Sequence, residues 1–346
     1  MDSVLLSEIA EQPAVIAGLL KDAAADVEAI AADIRGRGLH HVVIAARGSS
    51  DNAARYAQYL LGAHNRLTVT LATPSLFTRY HTPPVMAGAL VAGISQSGES
   101  PDLIAVVEEG RRQGCPTLAI TNAAGSPLAA VADHTIVLHA GQERSIAATK
   151  TYTAQLAALA MLSTALAANE QWRQELAGVP GFVAQALRVG REEVLAAATA
   201  LKDAGHGVVL GRGFNFATAF EIALKAKELA YIAVEPYSSA DFQHGPIALI
   251  DRGFAAVVVN AAGAVSAEVE ALLATICERG ARPVVISNEQ ASLAMAAAPI
   301  ALPAMPEWLS PMAAIVPAQL LAFHVSRLRG FDPDQPRGLR KVTKTT

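Results

Sequence analysis

The stretch Gly93-Ile94-Ser95-Gln96-Ser97-Gly98-Glu99-Ser100-Pro101-Asp102 lies between an apolar run, Ala89-Leu90-Val91-Ala92, and a helical run that begins at Leu103. A short apolar run followed by a helical pattern predicts a strand and then a helix, which is the unit of a parallel α/β sheet. Ser100-Pro101 is a typical helix start, with a Ser N-cap and Pro at the first helical position. Capping needs one hydroxyl, so the other serines indicate a further role.

The composition of the chain limits its class. It has 346 residues, of which 52% are apolar and 5% aromatic, and this predicts a helix-rich globular protein of about two domains. The formal net charge is -4 and no long basic run occurs, so we expect no nucleic-acid partner. The most apolar window, 154–168, contains polar side chains and predicts a buried helix rather than a membrane span. The two cysteines lie far apart, and the histidines have no metal-type spacing, so we expect a cytoplasmic protein without a metal or a membrane partner.

A repeat runs through the chain. Gly207-Val208-Val209-Leu210-Gly211 is a second strand candidate, and Arg212-Gly213 follows it as Arg47-Gly48 follows the apolar run 41–45. A near-constant offset predicts two copies of one α/β unit, although any two such units share glycines and β-branched residues. The three matched pairs, 165 or 166 residues apart, are Gly48 and Gly213, Gly114 and Gly280, and Asn122 and Asn288.

We therefore predict an α/β fold of two tandem domains, each a doubly wound parallel sheet flanked by helices in three α/β/α layers. A helical segment interrupted at Pro13 would precede the domains, and a Pro-rich tail that is either solvated or folded back over a site would follow them. The predicted parts are residues 1–35 for the helical segment, 36–170 for the first domain, 190–330 for the second and 331–346 for a tail that closes the active site.

The serine-rich join predicts an anion site. Its glycines let the backbone turn tightly, and a helix N-terminus offers free N–H groups and partial positive charge. Neutral hydroxyl and amide donors at such a place suit a compact dianion such as phosphate. Without a P-loop lysine or a G-x-G-x-x-G spacing, we expect a small phosphorylated metabolite rather than a nucleotide. Two more hydroxyl-rich joins, 48–50 and 145–151, favour one shared cradle, the alternative being serines that only cap helices.

A helical pattern over 220–232 places Glu221, Lys225 and Glu228 on one narrow face between apolar flanks. A solvated stripe with an i,i+4 pair, worth a few tenths of a kcal/mol, is one interpretation. So narrow a charged face fits better with a second interpretation, in which it lines a cleft and one carboxylate acts as a general base. His244, in a loop marked by Gly245 and Pro246, is either structural or a proton-transfer group near neutral pH.

Taken together in this order, the motifs SQSGES, strand–RGSS, E-x-x-x-K-x-x-E, H-G-P and D-Q-P-R-x-L-x-K resemble the sugar isomerase (SIS) family. Within it, the chain is most similar to the isomerase half of glutamine–fructose-6-phosphate aminotransferase and to the stand-alone glucosamine-6-phosphate deaminases. The resemblance runs from Glu8 to Lys341. It implies two tandem SIS domains, a 6-phosphosugar substrate, no cofactor and a homodimer.

The resemblance also implies a role for each matching residue. Glu228 is the base that shuttles a proton between C1 and C2, and Lys225 and Glu221 position and tune it. His244 opens the sugar ring and is supplied by the neighbouring subunit, and Lys341 is the amine that forms a Schiff base. The phosphosugar-binding residues are Ser49, Ser50, Ser95, Gln96, Ser97, Ser100, Ile146 and Ala147.

Several departures from the aminotransferase pattern point to a deaminase. Arg47 stands where a small or thiol residue is usual, Ala148 replaces a serine, and we expect neither an N-terminal Cys nucleophile nor a glutaminase segment. We therefore expect glucosamine 6-phosphate to be converted to fructose 6-phosphate and ammonia. The alternatives are an ammonia-dependent or isomerase-only aminotransferase-like enzyme, a fructosamine-6-phosphate deglycase and a non-catalytic phosphosugar-binding module. The sequence leaves the sugar epimer open.

Overall fold

The computed structural model describes residues 3–188 and 191–341. The predicted segments 1–35, 190–330 and 331–346 therefore each include residues, namely 1–2, 190 and 342–346, that lie outside the described residues. The chain divides into two compact units. The first unit comprises Ala14–Glu143, Lys150–Gly178 and Arg340–Thr346, and the second comprises Met1–Pro13, Arg144–Thr149 and Val179–Leu339.

The first unit is built on a parallel sheet of five strands in the order β2-β1-β3-β4-β5, as far as the described residues show. Its strands are β1 (His41–Ala46), β2 (Thr68–Leu71), β3 (Ala89–Ser95), β4 (Thr117–Thr121) and β5 (His134–Val137). The helices up to its end are α1 (Val4–Asp22), α2 (Ala24–Arg35), α3 (Ser49–Asn65), α4 (Ser75–Thr78), α5 (Pro101–Arg112), α6 (Pro127–Val131), α7 (Lys150–Ala167) and α8 (Glu170–Ala177).

The second unit repeats this topology. Its five described strands are all parallel and follow the order β7-β6-β8-β9-β10, which has the same relation to chain order as the first sheet. The predicted duplication and the doubly wound α/β fold are thus confirmed. The strands are β6 (His206–Gly211), β7 (Ala233–Ser238), β8 (Ala256–Asn260), β9 (Val284–Ser287) and β10 (Ala298–Ala301). The helices are α9 (Val179–Arg188), α10 (Arg191–Leu201), α11 (Asn215–Lys225), α12 (Ser239–Gln243), α13 (Ser266–Glu278), α14 (Gln290–Met295) and α15 (Ser310–Leu328), with a π-turn at Ala226–Ala230 and 3-10 turns at Pro246–Leu249 and Glu307–Leu309.

The strand sequences explain the cores. Every residue of β3 is buried, as expected for the centre of a parallel sheet that is covered on both faces. In the first unit Val43 and Val91 of adjacent strands pack with Val106 of α5. In the second unit Val258 and Leu272 occupy the corresponding layer between β8 and α13. Continuous apolar runs therefore fix both sheets.

Helix α1 does not break at Pro13, contrary to the prediction, and extends from Val4 to Asp22. A proline cannot donate to the carbonyl four residues earlier, which here belongs to Ile9. The side-chain amide of Gln12 donates to that carbonyl instead, at 2.9 Å. Because the freed acceptor is satisfied, the helix continues through the proline.

Two long apolar helices are buried. Residues 150–165 of α7 are all buried, which confirms the prediction of a buried helix there. The helical stretch Glu307–Leu328 is long and apolar enough to cross a membrane by length and composition alone, but 89% of its most apolar window is buried inside the protein. It has the character of a core helix.

As far as residue 341, where the described residues end, the Pro-rich segment after α15 forms no helix, as expected, and it is not simply solvated. The carboxylate of Asp334 accepts hydrogen bonds from the backbone N–H groups of Val4 and Leu5, at 3.2 and 2.8 Å. The guanidinium carbon of Arg337 lies 3.9 Å from the ring centre of Tyr231, whose hydroxyl accepts from the Arg337 N–H at 2.7 Å. These contacts hold the segment against the second unit as far as Arg337.

Candidate functional site

The two serine-bearing joins of the first unit lie at one edge of its sheet. Strands β1 and β3 are parallel neighbours, with Ala46 beside Ile94, and the chain order reverses between them. Ligands of doubly wound sheets bind outside the carboxyl ends of the strands at such a reversal. The helices that follow, α3 and α5, therefore both present their N-termini at this edge.

The cradle, defined as residues 95–100, is shaped by its own hydrogen bonds. The Gly98 N–H donates to Ser95 Oγ at 3.1 Å, and the Glu99 N–H donates to Ser97 Oγ at 3.3 Å. Ser100 occupies the N-cap position of α5, but its hydroxyl makes no capping hydrogen bond. Helix capping therefore does not account for this serine. The acceptor roles of Ser95 and Ser97 leave both hydroxyl protons for a ligand.

The second join begins with Gly48, whose φ of 56° is in the left-handed region that favours glycine. Ser49 opens α3 and is half-buried. Ser50 is buried, and its Oγ accepts from the side-chain amide of Gln155 at 2.9 Å, which again leaves a hydroxyl proton. Seryl donors thus follow both strands, as predicted.

The segment 144–149 belongs to the second unit and is held by a carboxylate that sequence reasoning did not assign. Glu8 of α1 is buried and accepts from the Arg144 N–H, the Ser145 N–H and the Ser145 hydroxyl. Ser145 Oγ also lies 3.0 Å from the Ala147 carbonyl. Glu8 therefore orders the predicted sugar-binding residues Ile146 and Ala147. The E-x-x-x-Q-P pattern around Glu8 was the available signal.

The acidic and basic stripe is a buried cluster. Lys225 Nζ lies 2.6 Å from Glu228 Oε2 and 3.4 Å from Glu221 Oε1. The side chains of Glu221 and Lys225 are 0% and 1% exposed, and that of Glu228 is 23% exposed. The solvated-stripe interpretation is therefore wrong, and only the Glu228 carboxylate reaches the surface. A buried lysine between two carboxylates fixes their orientation through charge-assisted hydrogen bonds.

The helix that carries this cluster differs from the predicted one. The expected α-helix over 220–232 ends at Lys225, and Glu228 lies on the π-turn Ala226–Ala230. Tyr231 then ends the turn with a φ of 55°. Single π-turns are rare and are frequently found at functional sites, where they re-aim a side chain. Sequence periodicity does not distinguish such a turn from an α-helix.

His244 is exposed and follows α12, with its backbone N–H donating to the Asp241 carbonyl at 3.0 Å. The next residue, Gly245, has a φ of 142°, which L-amino acids rarely adopt. His244 is therefore exposed to solvent at a sharp turn of the second unit.

Lys341 has a buried partner that the sequence did not indicate. In the first unit its Nζ lies 2.8 Å from Glu143 Oε2, and the Glu143 side chain is 0% exposed. The same carboxylate accepts from the Thr151 N–H and hydroxyl, at 3.1 and 2.7 Å, in the first turn of α7. The candidate amine is thus held at a helix N-terminus. Glu143 and Lys341 are 198 residues apart, so no local pattern connects them.

The predicted site residues are distributed over both units. Within residues 3–188 and 191–341, no group of three or more His, Cys, Asp or Glu side chains could hold a metal ion. The first unit contains Ser49, Ser50, Ser95, Gln96, Ser97, Ser100 and Lys341, and the second contains Ile146, Ala147, Glu221, Lys225, Glu228 and His244.

Comparison with protein families and curated proteins gives matches over most of the chain. The family model described as SIS domain matches residues 37–165 and 200–329. A curated relative, the glutamine–fructose-6-phosphate aminotransferase (isomerizing) of Thermococcus kodakarensis, is 34% identical over 346 residues. The match covers 97% of this chain and 57% of that protein, so the chain spans little more than half of the relative.

Solved structures extend the comparison. A proposed phosphosugar isomerase of Silicibacter pomeroyi is 33% identical, with a TM-score of 0.87 over 96% of this chain and 100% of that one. The glucosamine-6-phosphate deaminase of Thermotoga maritima has a TM-score of 0.81 over 99% and 100% of the two chains. At 22% identity this second likeness concerns the fold alone.

Proposed function

The chain belongs to the SIS domain family, and from that premise we propose that it is an enzyme that converts glucosamine 6-phosphate and water to fructose 6-phosphate and ammonia. The observation that carries the proposal is the buried Glu221, Lys225 and Glu228 cluster with one carboxylate at the surface. An aldose–ketose proton transfer requires a positioned base, and a carboxylate that a buried lysine holds in one orientation supplies it.

The phosphate is assigned to the serine joins of the first unit. The hydroxyls of Ser50, Ser95 and Ser97 each accept one hydrogen bond within the protein and keep a proton to donate. The Ser100 hydroxyl makes no capping bond. With the N-termini of α3 and α5, these groups form a donor set for a dianion without a bound metal. Ser49 and Gln96 complete the predicted set.

The proton transfer is assigned to Glu228. With the sugar ring open, its carboxylate removes the proton from C2, and the electron pair passes to the C1 carbonyl to give an enol. Return of a proton to C1 leaves an imine at C2, and loss of its nitrogen as ammonia, with the oxygen of water taken up at C2, gives fructose 6-phosphate. Lys225 donates to Glu228 at 2.6 Å and so keeps the carboxylate aimed, while Glu221 fixes Lys225. Ile146 and Ala147 would contact the sugar.

Lys341 and His244 are assigned to imine exchange and ring opening. The amine of Lys341 adds to the C2 imine and displaces its nitrogen as ammonia, and water then hydrolyses the lysine Schiff base to the C2 ketone and the free amine. Glu143, 2.8 Å from Lys341 Nζ, holds that amine. His244 is proposed to serve the site of a second subunit in a cytoplasmic homodimer. Mixing an inactive Glu228→Gln protein with an inactive His244→Ala protein tests this, because a mixed dimer would regain one intact site. No recovery of activity after subunit exchange would contradict a shared site.

A substrate panel tests the reaction. We expect the wild-type protein to release ammonia from glucosamine 6-phosphate, measured by a coupled assay, with fructose 6-phosphate as the second product. Release of ammonia from galactosamine 6-phosphate but not from glucosamine 6-phosphate would change the assigned substrate to the galacto epimer. Turnover of fructoselysine 6-phosphate but of neither aminosugar phosphate would instead identify the protein as a deglycase. Binding of these compounds without any turnover would replace the enzyme by a phosphosugar-binding module.

The aminotransferase-like alternative has one specific observation in its favour, the 34% identity to an aminotransferase over 97% of this chain. Two departures from that pattern, Arg47 and Ala148, support the deaminase instead. Ammonia-dependent formation of glucosamine 6-phosphate that is faster than its breakdown, at equal substrate saturation, would favour the alternative.

A further inference from the structure

An arginine lies directly beside the cradle, where the seryl donors carry no charge. Arg47 follows the last residue of β1, and Ala46 is in register with Ile94 of β3. Arg47 is thus one residue beyond this last pair, as Ser95, the first cradle residue, is on the neighbouring strand about 4.8 Å away. Its carbonyl accepts from the Ser50 N–H at 3.1 Å, so its backbone also starts the second serine join.

The guanidinium is anchored by a buried carboxylate. Arg47 Nε and Nη2 lie 2.9 and 2.8 Å from Asp102 Oδ2. The Asp102 side chain is 2% exposed and lies in the first turn of α5, where its Oδ1 also accepts from the Leu103 N–H at 3.0 Å. The Arg47 side chain is 49% exposed. One edge of the guanidinium is thus fixed at the helix N-terminus, and the other faces solvent.

The charges around this point show why the arginine matters for a dianion. Asp102 places a carboxylate in the first turn of the helix that borders the cradle, and Asp51 places another in the first turn of α3. Burial raises the pKa of Asp51, and Arg55 and Arg47 oppose that rise. Arg47 pairs with Asp102 and also opposes the negative charge of Asp51, so its removal would leave the N-terminal turns of both helices more negative. Negative charge beside the cradle disfavours binding of a dianion there.

We infer that Arg47, anchored by Asp102, is a phosphate-binding residue that makes the cradle selective for a dianion. The inference rests on the proposed phosphosugar function. Within the described part of the chain, the Arg47 side chain contacts Asp102 through Nε and Nη2, which leaves Nη1 for a phosphate oxygen. An arginine donates to phosphate in a fixed planar geometry and stays charged at every working pH.

The test compares two sugar esters of similar shape and different charge, with inorganic phosphate as a third ligand. Fructose 6-phosphate, fructose 6-sulfate and inorganic phosphate are titrated calorimetrically at pH 8, where the phosphate is a dianion and the sulfate a monoanion. We expect Arg47→Met to weaken both phosphate ligands about 10- to 100-fold, as loss of a charge-assisted contact would. The sulfate should weaken by less than about 3-fold, so the preference for the dianion disappears.

Two further variants make the result decisive. Arg112→Met removes the same charge from the opposite end of α5, where Arg112 pairs with Glu109, and should leave all three affinities unchanged. Arg47→Lys should regain part of the phosphate affinity. Arg47→Met that binds fructose 6-phosphate as the wild type does, or that weakens sulfate and phosphate equally while lowering the unfolding temperature, overturns the inference. Wild-type protein that binds none of the three ligands overturns the proposed function itself.

Discussion

Gly98 shows how one residue determines the shape of the cradle. Its φ is +65°, and a Cβ built on it would lie 2.1 Å from Ser126 Oγ. Replacing the glycine therefore requires both a strained backbone and a shift of Ser126, which caps α6. The sequence indicated a tight glycine turn here, but not the close approach of a loop 28 positions later.

We predict that Gly98→Ala weakens binding of fructose 6-phosphate at least about 10-fold. It should also lower the free energy of unfolding by more than the ~1–2 kcal/mol expected for an alanine in the left-handed region. Gly114→Ala is the matched control, because Gly114 has a φ of +77° and its Cβ would meet nothing within 4 Å. Calorimetric affinity and urea unfolding measure the two effects. Equal losses of affinity in both variants would show that the approach to Ser126 does not matter.

Residues that act within one helical turn were predictable, and those that act across the chain were not. Glu221, Lys225 and Glu228 were grouped correctly because three- and four-residue spacings set which side chains meet. Glu8 and Ser145 are 137 residues apart, and no periodicity relates them. The buried partner carboxylates Glu8 and Glu143 therefore required the structure.

At the scale of elements, the two errors were both in helices. Pro13 should end a helix, but the Gln12 side chain satisfies the carbonyl that the proline leaves free. The helix after Asn215 should continue to Ile232, but a π-turn follows Lys225. In each case a side-chain or backbone hydrogen bond outweighs a local propensity, and that choice depends on tertiary packing.

Helices α3 and α8 are joined by a stack of His64 on Trp172, with ring centres 3.8 Å apart and planes 14° apart. Burial lowers the pKa of His64 from its ordinary value of 6.5, and Glu175 opposes the shift. The folded state therefore binds the proton less readily than the unfolded state does. The contribution of His64 to the free energy of unfolding is therefore fully present above about pH 6.5 and is lost as the pH falls below that value.

We predict that His64→Gln flattens this decline, because the residue that titrates is gone. Unfolding temperatures of both proteins measured between pH 5 and 8 give the comparison, with exposed His40→Gln as the control that keeps the wild-type slope. A His64→Gln protein that loses stability below pH 6.5 as steeply as the wild type would contradict the assignment.

At the scale of the whole molecule, the repeat was readable from the sequence. The offsets of 165 and 166 residues correspond to two sheets with the same strand order, 2-1-3-4-5 in each unit. Both glycine pairs of the repeat have positive φ, at 56° and 59° for Gly48 and Gly213, and at 77° and 95° for Gly114 and Gly280. Because a positive φ favours glycine, the same backbone turn explains why glycine recurs at these positions in both copies. By contrast, no pattern in the sequence indicates that the short segment Arg144–Thr149 belongs to the second unit while the residues on either side of it belong to the first.

The two ends of the chain stabilise each other through Asp334, which caps α1 from 330 residues away. We predict that Asp334→Ala lowers the free energy of unfolding by about 1–2 kcal/mol, the typical loss for an N-cap carboxylate. Urea unfolding measures it, with exposed Asp203→Ala as the control. Equal midpoints for wild type and Asp334→Ala would show that the cap contributes nothing.

Glu228 is proposed to move the proton, and the rate and affinity of Glu228→Gln test this role most directly. Lys227→Gln, an exposed change on the same π-turn, is the control. Ammonia release from glucosamine 6-phosphate should fall about 10²- to 10⁴-fold in Glu228→Gln, with affinity for fructose 6-phosphate within about 3-fold of wild type. Lys227→Gln should keep both. Turnover by Glu228→Gln at the wild-type rate would contradict the account.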